Sequence, residues 1–341
     1  MDRISRCGPG QWGNYDPAVY RVVFCSSAPI GVPFLEELMR DDRYDVVGIL
    51  TMPDMPSGRG LQMQENIIKT ESWKFRTEEV AFDIKTPQSL RLDSKKYAQE
   101  AQDTFHWLQS LEIDYLIVIA YGHIIPQHIL DIPRIAPINV HGSLLPLYRG
   151  ASPIQASLLH GQEETGITIM RMVAELDAGD MIRFYRFPLP LARTARDIIE
   201  KMKSVWPTFL TETLDGLSHG EYIYTPQDPE KATFCGKIEK EDGEVSLINN
   251  KFLHIYNKYR AYYLWPKIYF WMKYPETKDP KRVIIEDIQI DEWLFILHNH
   301  KPFCDKNRML NCAIVSCSVK VEGKKTMTRA EWAQTYRDYI F

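Results

Sequence analysis

Apolar positions recur along this chain with two alternating periods, one of two residues or a continuous run and one near 3.6. YRVVFC (20–25) is short, β-branched and closed by Ser-Ser-Ala-Pro, which predicts a strand. VPFLEELMR (32–40) then spaces its apolar residues along one face of a helix. VVGILT (46–51) predicts a second buried strand, leading into MPDMPSGRG (52–60), whose prolines and glycines are expected to exclude regular structure. A helical stretch around 93–110 precedes DYLIVIA (114–120), apolar at nearly every position, as a strand covered on both faces should be. PINVH (137–141) and GITIMRM (166–172) are further strands with SPIQASLLH (152–160) as a helix between them, and a long helix runs from beyond residue 192 to Gly216. Strands alternating with helices predict an α/β domain with a largely parallel sheet.

The texture then changes. SHGEYIYTPQDPEKA (218–232) is polar and proline-containing, which predicts a linker between an N-terminal domain at 1–217 and a C-terminal domain at 233–341. Beyond it YYLWPKIYFWM, KRVIIEDIQI and NCAIVSCSVKV predict the short strands of a small β domain, ended by a helix in RAEWAQTYRDYI.

Composition narrows the class of protein. The 341 residues are 45% hydrophobic and 25% charged, values typical of a soluble globular chain with room for a sizeable core. The net charge of −4 is unevenly spread: residues 1–230 hold 22 Lys and Arg against 31 Asp and Glu, and residues 231–341 hold 19 against 14. The C-terminal part is thus +5 and permits a polyanionic partner. Six cysteines form neither a CxxC pair nor a metal spacing, so they read as reduced thiols of a cytoplasmic protein. The first twenty residues lack the apolar core of a secretion signal, and Asp2 and Asp16 argue against a transit peptide. No apolar run approaches the roughly 18 residues needed to cross a bilayer. His298 and His300 stand in a loop and carry no metal reading by themselves.

Candidate chemistry concentrates after PINVH. Asn139 and His141 are two apart on a strand and therefore point to one face, at the strand end where open α/β sheets hold ligands. AELDAGDMI follows the next strand and places Asp177 and Asp180 in a tight loop. A carboxylate can orient and charge an imidazole, and an amide with a charged imidazole suits the stabilisation of an oxyanion. Asn139, His141 and Asp177 taken alone read more often as loop caps than as catalysts.

The longer stretch NVHGSLLPLYRGASPIQASLLHGQEETGITIMRMVAELDAGDMI (139–182) resembles the signature region of the folate-dependent formyltransferases, and most of the chain from about residue 20 onward shares the resemblance. VVGILTMPDMPSGRG, VIAYGHIIP, KIEKEDGEVSL and GKKTMTRAEW match in the same order, and the last two are similar to the β-barrel, OB-like domain of the tRNA-acting members. The resemblance implies that the α/β domain is Rossmann-like and that Asn139, His141 and Asp177 are catalytic. It implies a folate site built from Gly122, His123, Ile124 and Ile125 of AYGHIIP and from Ser143, Leu144, Leu145 and Pro146 of SLLP. It further implies transfer of the formyl group of 10-formyltetrahydrofolate, without a metal, to the amino group of methionyl initiator tRNA. Arg59 of the GRG loop would meet the tRNA acceptor end, and Lys324 and Lys325 would meet phosphates. The protein is expected to act as a monomer with no membrane partner.

The chain also departs from the family pattern. FCSSAP (24–29) lacks the usual glycine, Lys69 is the first cation after GRG where lysines commonly follow at once, and Leu147-Tyr148-Arg149-Gly150 has one arginine fewer. Weaker tRNA binding is the expected consequence. The alternative acceptor is a nucleotide-linked amino sugar, and a non-catalytic folate-binding protein is a third reading.

Overall fold

The computed structural model describes residues 19–57, 62–77, 80–247, 249–273, 279–290 and 314–335. Arg59, His298, His300, Cys7, Cys304 and Cys312 lie outside these residues. In chain order the elements are β1 (Tyr20–Ser26), α1 (Val32–Arg40), β2 (Tyr44–Leu50), β3 (Met55–Ser57), β4 (Gln62–Gln64), α2 (Ile67–Ser72), β5 (Asp83–Lys85), α3 (Ala98–Ser110), β6 (Tyr115–Ile119), α4 (Gln127–Leu130), β7 (Ala136–His141) and β8 (Arg149–Gly150). There follow α5 (Pro153–Leu159), β9 (Glu164–Arg171), β10 (Met181–Pro188), α6 (Ala195–Ser218), β11 (Phe234–Cys235), α7 (Phe252–Ala261), β12 (Ile268–Met272), β13 (Lys281–Ile290), β14 (Ile314–Val321), β15 (Thr326–Thr328) and α8 (Arg329–Thr335).

The chain forms two compact units. The first comprises Met1–Arg149, Gly166–Arg186 and Ile199–Phe234, and the second Gly150–Thr165, Phe187–Ile198 and Cys235–Phe341. The main sheet has the order β10-β9-β7-β6-β1-β2-β5. Its β2–β5, β1–β2, β1–β6 and β6–β7 pairs are parallel and β7–β9 is antiparallel. β6 is buried at every position, which is why its sequence shows no alternation. Successive side chains on these strands divide between two helical layers. Val23, Cys25, Leu116 and Val118 join Leu108 of α3 in one core, with Trp107 and Leu111 packed against it. On α6, the Thr211 carbonyl accepts from Tyr44 Oη at 3.0 Å and the Leu214 carbonyl from Tyr115 Oη at 3.1 Å. Burying each Val or Leu is worth about 1.5–3 kcal/mol, so both layers are held chiefly by apolar area. Cys25, Cys235 and Cys317 are free thiols.

The fold class follows the sequence expectation, and α1 has the residues expected of it, with Pro33 in the first turn and Phe34, Leu35 and Leu38 facing the core. One expectation needs correction. Residues 52–60 do not exclude regular structure, because β3 and β4 form an antiparallel ribbon with Met55 opposite Gln64 and Pro56 opposite Met63. Proline is tolerated there because a two-stranded ribbon has a free edge on each side. At its base Lys69 reaches Asp54 at 2.8 Å and holds that carboxyl below the usual range. A depressed carboxyl stabilises above its unfolded pKa, and that gain is lost as pH falls through the folded one. Asp54→Asn should therefore lower the melting temperature slightly at neutral pH, and thermal melts should show the deficit shrink as the pH falls below the ordinary carboxyl range.

The segment 218–232, expected as a linker, packs on the rest of the first unit. Met181 and Thr225 exchange backbone hydrogen bonds of 2.8 Å, and Arg183 and Arg171 lie over the rings of Tyr222 and Tyr224. In the second unit, the expected small β domain is a four-stranded antiparallel sheet among the described residues, in the order β12-β13-β14-β15, with α8 following. α7, which has no counterpart in the sequence reading, packs on α5. Its buried Arg260 donates to the carbonyls of Arg193 and Pro190 and to Asn257 Oδ1.

Candidate active site

β7 ends beside a change of strand direction. Val118 of β6 pairs with Asn139 in parallel register, while His141 faces Thr168 of antiparallel β9. β9 leaves at the level of Pro137, where Met172 N–H donates to its carbonyl at 2.8 Å. The following loop then returns to bring Asp177 over the two polar side chains. Asn139 Nδ2 donates to Asp177 Oδ1 at 3.3 Å, and His141 Nδ1 lies 3.6 Å from Asp177 Oδ2. His141 is 5% exposed, and the Asp177 side chain 10%. The structure thus joins the three residues that the sequence reading grouped.

The imidazole is held from both sides. Its Nε2 lies 2.9 Å from the Tyr148 carbonyl, which can only accept, so Nε2 carries a proton. The 3.6 Å separation at Nδ1 exceeds hydrogen-bond length, so that nitrogen is oriented toward Asp177 without being bound to it. Asp177 at φ 50° and Tyr148 at φ 60° are both in the left-handed region that non-glycine residues rarely adopt. Both residues that orient His141 therefore sit on strained backbone, a feature that clusters at functional sites.

Three residues absent from the site expected on sequence support this arrangement. Gln227 Nε2 donates to the Asp177 and Gly179 carbonyls, and its Oε1 accepts from Arg149 Nε. Arg149 is 4% exposed and also reaches Glu175 at 3.4 Å. Ser27 lies in the FCSSAP loop after β1, and its hydroxyl meets the Tyr121 carbonyl at 2.5 Å and the Ala120 carbonyl at 3.1 Å. It thereby fixes the start of the AYGHIIP segment.

The proposed folate residues occupy the neighbouring loops. Ile124 is 74% exposed, whereas Ile125 is 4% exposed and belongs to the core, so the two do not share a face. His123 Nε2 is 3.2 Å from the Pro87 carbonyl, and its ring stands edge-on to Tyr121. Among the described residues, the backbone N–H groups of Gly122 and His123 have no protein acceptor. Unpaired backbone donors beside an exposed apolar side chain fit a bicyclic ring with a polar edge and apolar faces. In SLLP, Ser143 Oγ donates to the Leu147 carbonyl, while Thr168 Oγ1 donates to the Ser143 carbonyl and accepts from Leu145 N–H. Leu145 is buried, Leu144 and Pro146 are half-buried, and the Pro146 carbonyl accepts from Thr233 N–H at 3.2 Å.

Lys324 and Lys325 are exposed in the turn between β14 and β15. Lys69 is committed to Asp54 and lies 3.7 Å from Glu65. Among the described residues no three His, Cys, Asp or Glu side chains come together as a metal ion would need, and no helix is long and apolar enough to cross a membrane.

Residues 21–214 match the formyl transferase family. The methionyl-tRNA formyltransferase of Sulfurihydrogenibium sp. is 34% identical over 266 residues, which is 78% of this chain and 81% of that protein. The enzyme of the same name from Natranaerobius thermophilus is 29% identical over 93% of this chain and 97% of its own length. Among solved structures, methionyl-tRNA formyltransferase from Clostridium thermocellum superposes with a TM-score of 0.55 at 15% identity, covering 89% of this chain and 99% of that one. The N-formyltransferase of Helicobacter canadensis, solved with folinic acid and dTDP-3-aminofucose, gives 0.54 at 14% identity over 80% and 88% of the two chains. At such identities the structural likeness speaks to fold alone. The chain belongs to the formyl transferase family.

Proposed function

We propose that this protein transfers the formyl group of 10-formyltetrahydrofolate to the amino group of methionine carried on initiator tRNA. The observation that carries the reaction is the convergence of Asn139, His141 and Asp177 at the end of β7. In this reading the amine nitrogen attacks the formyl carbon, and the carbonyl oxygen becomes an oxyanion. Asn139 has a second amide hydrogen besides the one given to Asp177, and a doubly protonated His141 has one on Nδ1; both donate to that oxygen. Asp177, beside both donors, receives the proton lost by the attacking nitrogen through a water molecule. The bond from the formyl carbon to the folate nitrogen then breaks, and that nitrogen takes up a proton. The folate ring lies against Ile124, with Gly122 and His123 reading its polar edge and Ser143, Leu144, Leu145 and Pro146 forming the other wall.

The acceptor assignment is supported by the relatives named methionyl-tRNA formyltransferase, which align over as much as 93% of this chain. It is also supported by the positive C-terminal part. In this reading residues 1–217 are catalytic, 233–341 bind tRNA through Lys324 and Lys325, and the protein works as a cytoplasmic monomer. Arg59 positions the tRNA end, so Arg59→Ala should lower turnover more than affinity. The decisive assay offers the folate donor with charged initiator tRNA and, in parallel, with a 4-amino-sugar nucleotide. Formyl-methionyl-tRNA is the expected product, and reaction with the sugar alone would overturn the assignment. Affinity for tRNA should fall linearly in log salt, and the double substitution Lys324→Ala, Lys325→Ala should flatten the slope by roughly one to two units.

A further inference from the structure

We propose that Gln227 is a positioning residue that sets the orientation of His141 by clamping the two segments that hold it. The inference rests on the formyl-transfer reading above. His141 is oriented by the Tyr148 carbonyl on one side and by the Asp177 carboxylate on the other. Gln227 reaches both segments. Its amide nitrogen donates to the Asp177 carbonyl at 2.8 Å and the Gly179 carbonyl at 2.7 Å, the two carbonyls that bracket Ala178. Its amide oxygen accepts from Arg149 Nε at 3.0 Å, and Arg149 directly follows Tyr148 in the chain. Both amide hydrogens and the amide oxygen are thus engaged in a side chain only 9% exposed.

The clamp acts where it is needed. Asp177 and Tyr148 hold left-handed backbone conformations that non-glycine residues adopt only when their surroundings impose them. Gln227 itself is fixed by the backbone pair between Thr225 and Met181, two residues before it. It lies beyond the segment that matches the family, 48 to 78 residues from the groups it binds. A carboxamide is required rather than a carboxylate, because its nitrogen faces two carbonyl oxygens and only a donor can satisfy them.

Two variants test this. Gln227→Leu keeps the volume and removes all three hydrogen bonds. Gln227→Glu keeps an acceptor for Arg149 but presents a second anionic oxygen to two carbonyls. Gln227→Leu should lose roughly 30- to 100-fold in kcat, since small misplacements of catalytic groups cost rate on this scale. Its KM for the folate donor should stay within about threefold, because the clamp touches neither folate segment. Gln227→Glu should be impaired at neutral pH and recover relative to wild type as pH falls, because its protonated carboxyl regains one donor. Ring nitrogen-15 shifts of His141 supply a readout independent of the acceptor, and they should differ between wild type and both variants. If Gln227→Leu fails to fold, the pH profile and ring shifts of Gln227→Glu decide the matter. Unchanged ring shifts with wild-type kcat would overturn the inference, as would a loss confined to KM or to melting temperature. A wild-type protein that formylates neither amine, with ring shifts that still respond to Gln227, would sink the functional reading and leave the clamp standing.

Discussion

His141→Ala should lower turnover by about three orders of magnitude while the protein stays folded and keeps its affinity for the folate donor. The imidazole is oriented from two sides, with Nε2 on the Tyr148 carbonyl and Nδ1 toward Asp177. Its removal deletes an oxyanion donor and leaves Asp177 beside Asn139 alone. The variant also removes the hydrogen bond between the imidazole and the Tyr148 carbonyl, at a cost of roughly 0.5–1.5 kcal/mol in stability. That cost predicts a lower melting temperature, which must be separated from the kinetic loss by measuring rates well below the transition. Folate affinity is a fair control, because the Gly122–Ile125 and Ser143–Pro146 segments are tied down independently by Ser27 and Thr168. Asn139→Ala should lose about two to three orders of magnitude for the same reason. Single-turnover rates near wild type for either variant would show the cluster to be structural.

The catalytic grouping was legible because its geometry is local or periodic. Asn139 and His141 share a face by strand alternation alone, and β7 runs through both. α1 and β6 were equally legible, the first from its helical spacing and the second from its unbroken apolar run. Elements whose stability comes from distant partners were not. β5 has only three residues and exists because Gly48, Ile49 and Leu50 of β2 pair with it. β10 mixes arginines and aromatics, so its sequence shows no clean period. α7 lies in a stretch of mixed aromatic and basic residues to which no element is assigned from the sequence, and packing on α5 determines it. The supports of the site were invisible for a further reason. Backbone carbonyls such as those of Tyr148, Asp177 and Gly179 leave no trace in a sequence, so nothing marks the side chains that bind them. Polar composition made 218–232 look like a linker, although Gln227 within it is buried by contacts to residues far away in the chain.

Gly179→Ala should reduce kcat about a hundredfold, a loss of the size that follows misplacement of a catalytic group. A Cβ at this position would lie 1.7 Å from the Arg171 carbonyl oxygen and 2.9 Å from its carbon. Neither side can retreat cheaply. Arg171 N–H is bonded to the Asp180 carbonyl at 2.9 Å, and the Gly179 carbonyl is bonded to Gln227 at 2.7 Å. The turn must therefore move as a body, carrying Asp177 away from Asn139 and His141, with an overpacking cost of roughly 1–3 kcal/mol. Gly220→Ala is the matched control. Gly220 has φ 72° and nothing within 4 Å of a built Cβ, so alanine there costs about 1–2 kcal/mol of backbone strain and touches no part of the site. The two variants should lose comparable stability in denaturant titrations, yet only Gly179→Ala should lose turnover. Equal rates for both would mean that the place of Asp177 does not matter to the reaction, and the oxyanion mechanism built on the cluster would fall with it.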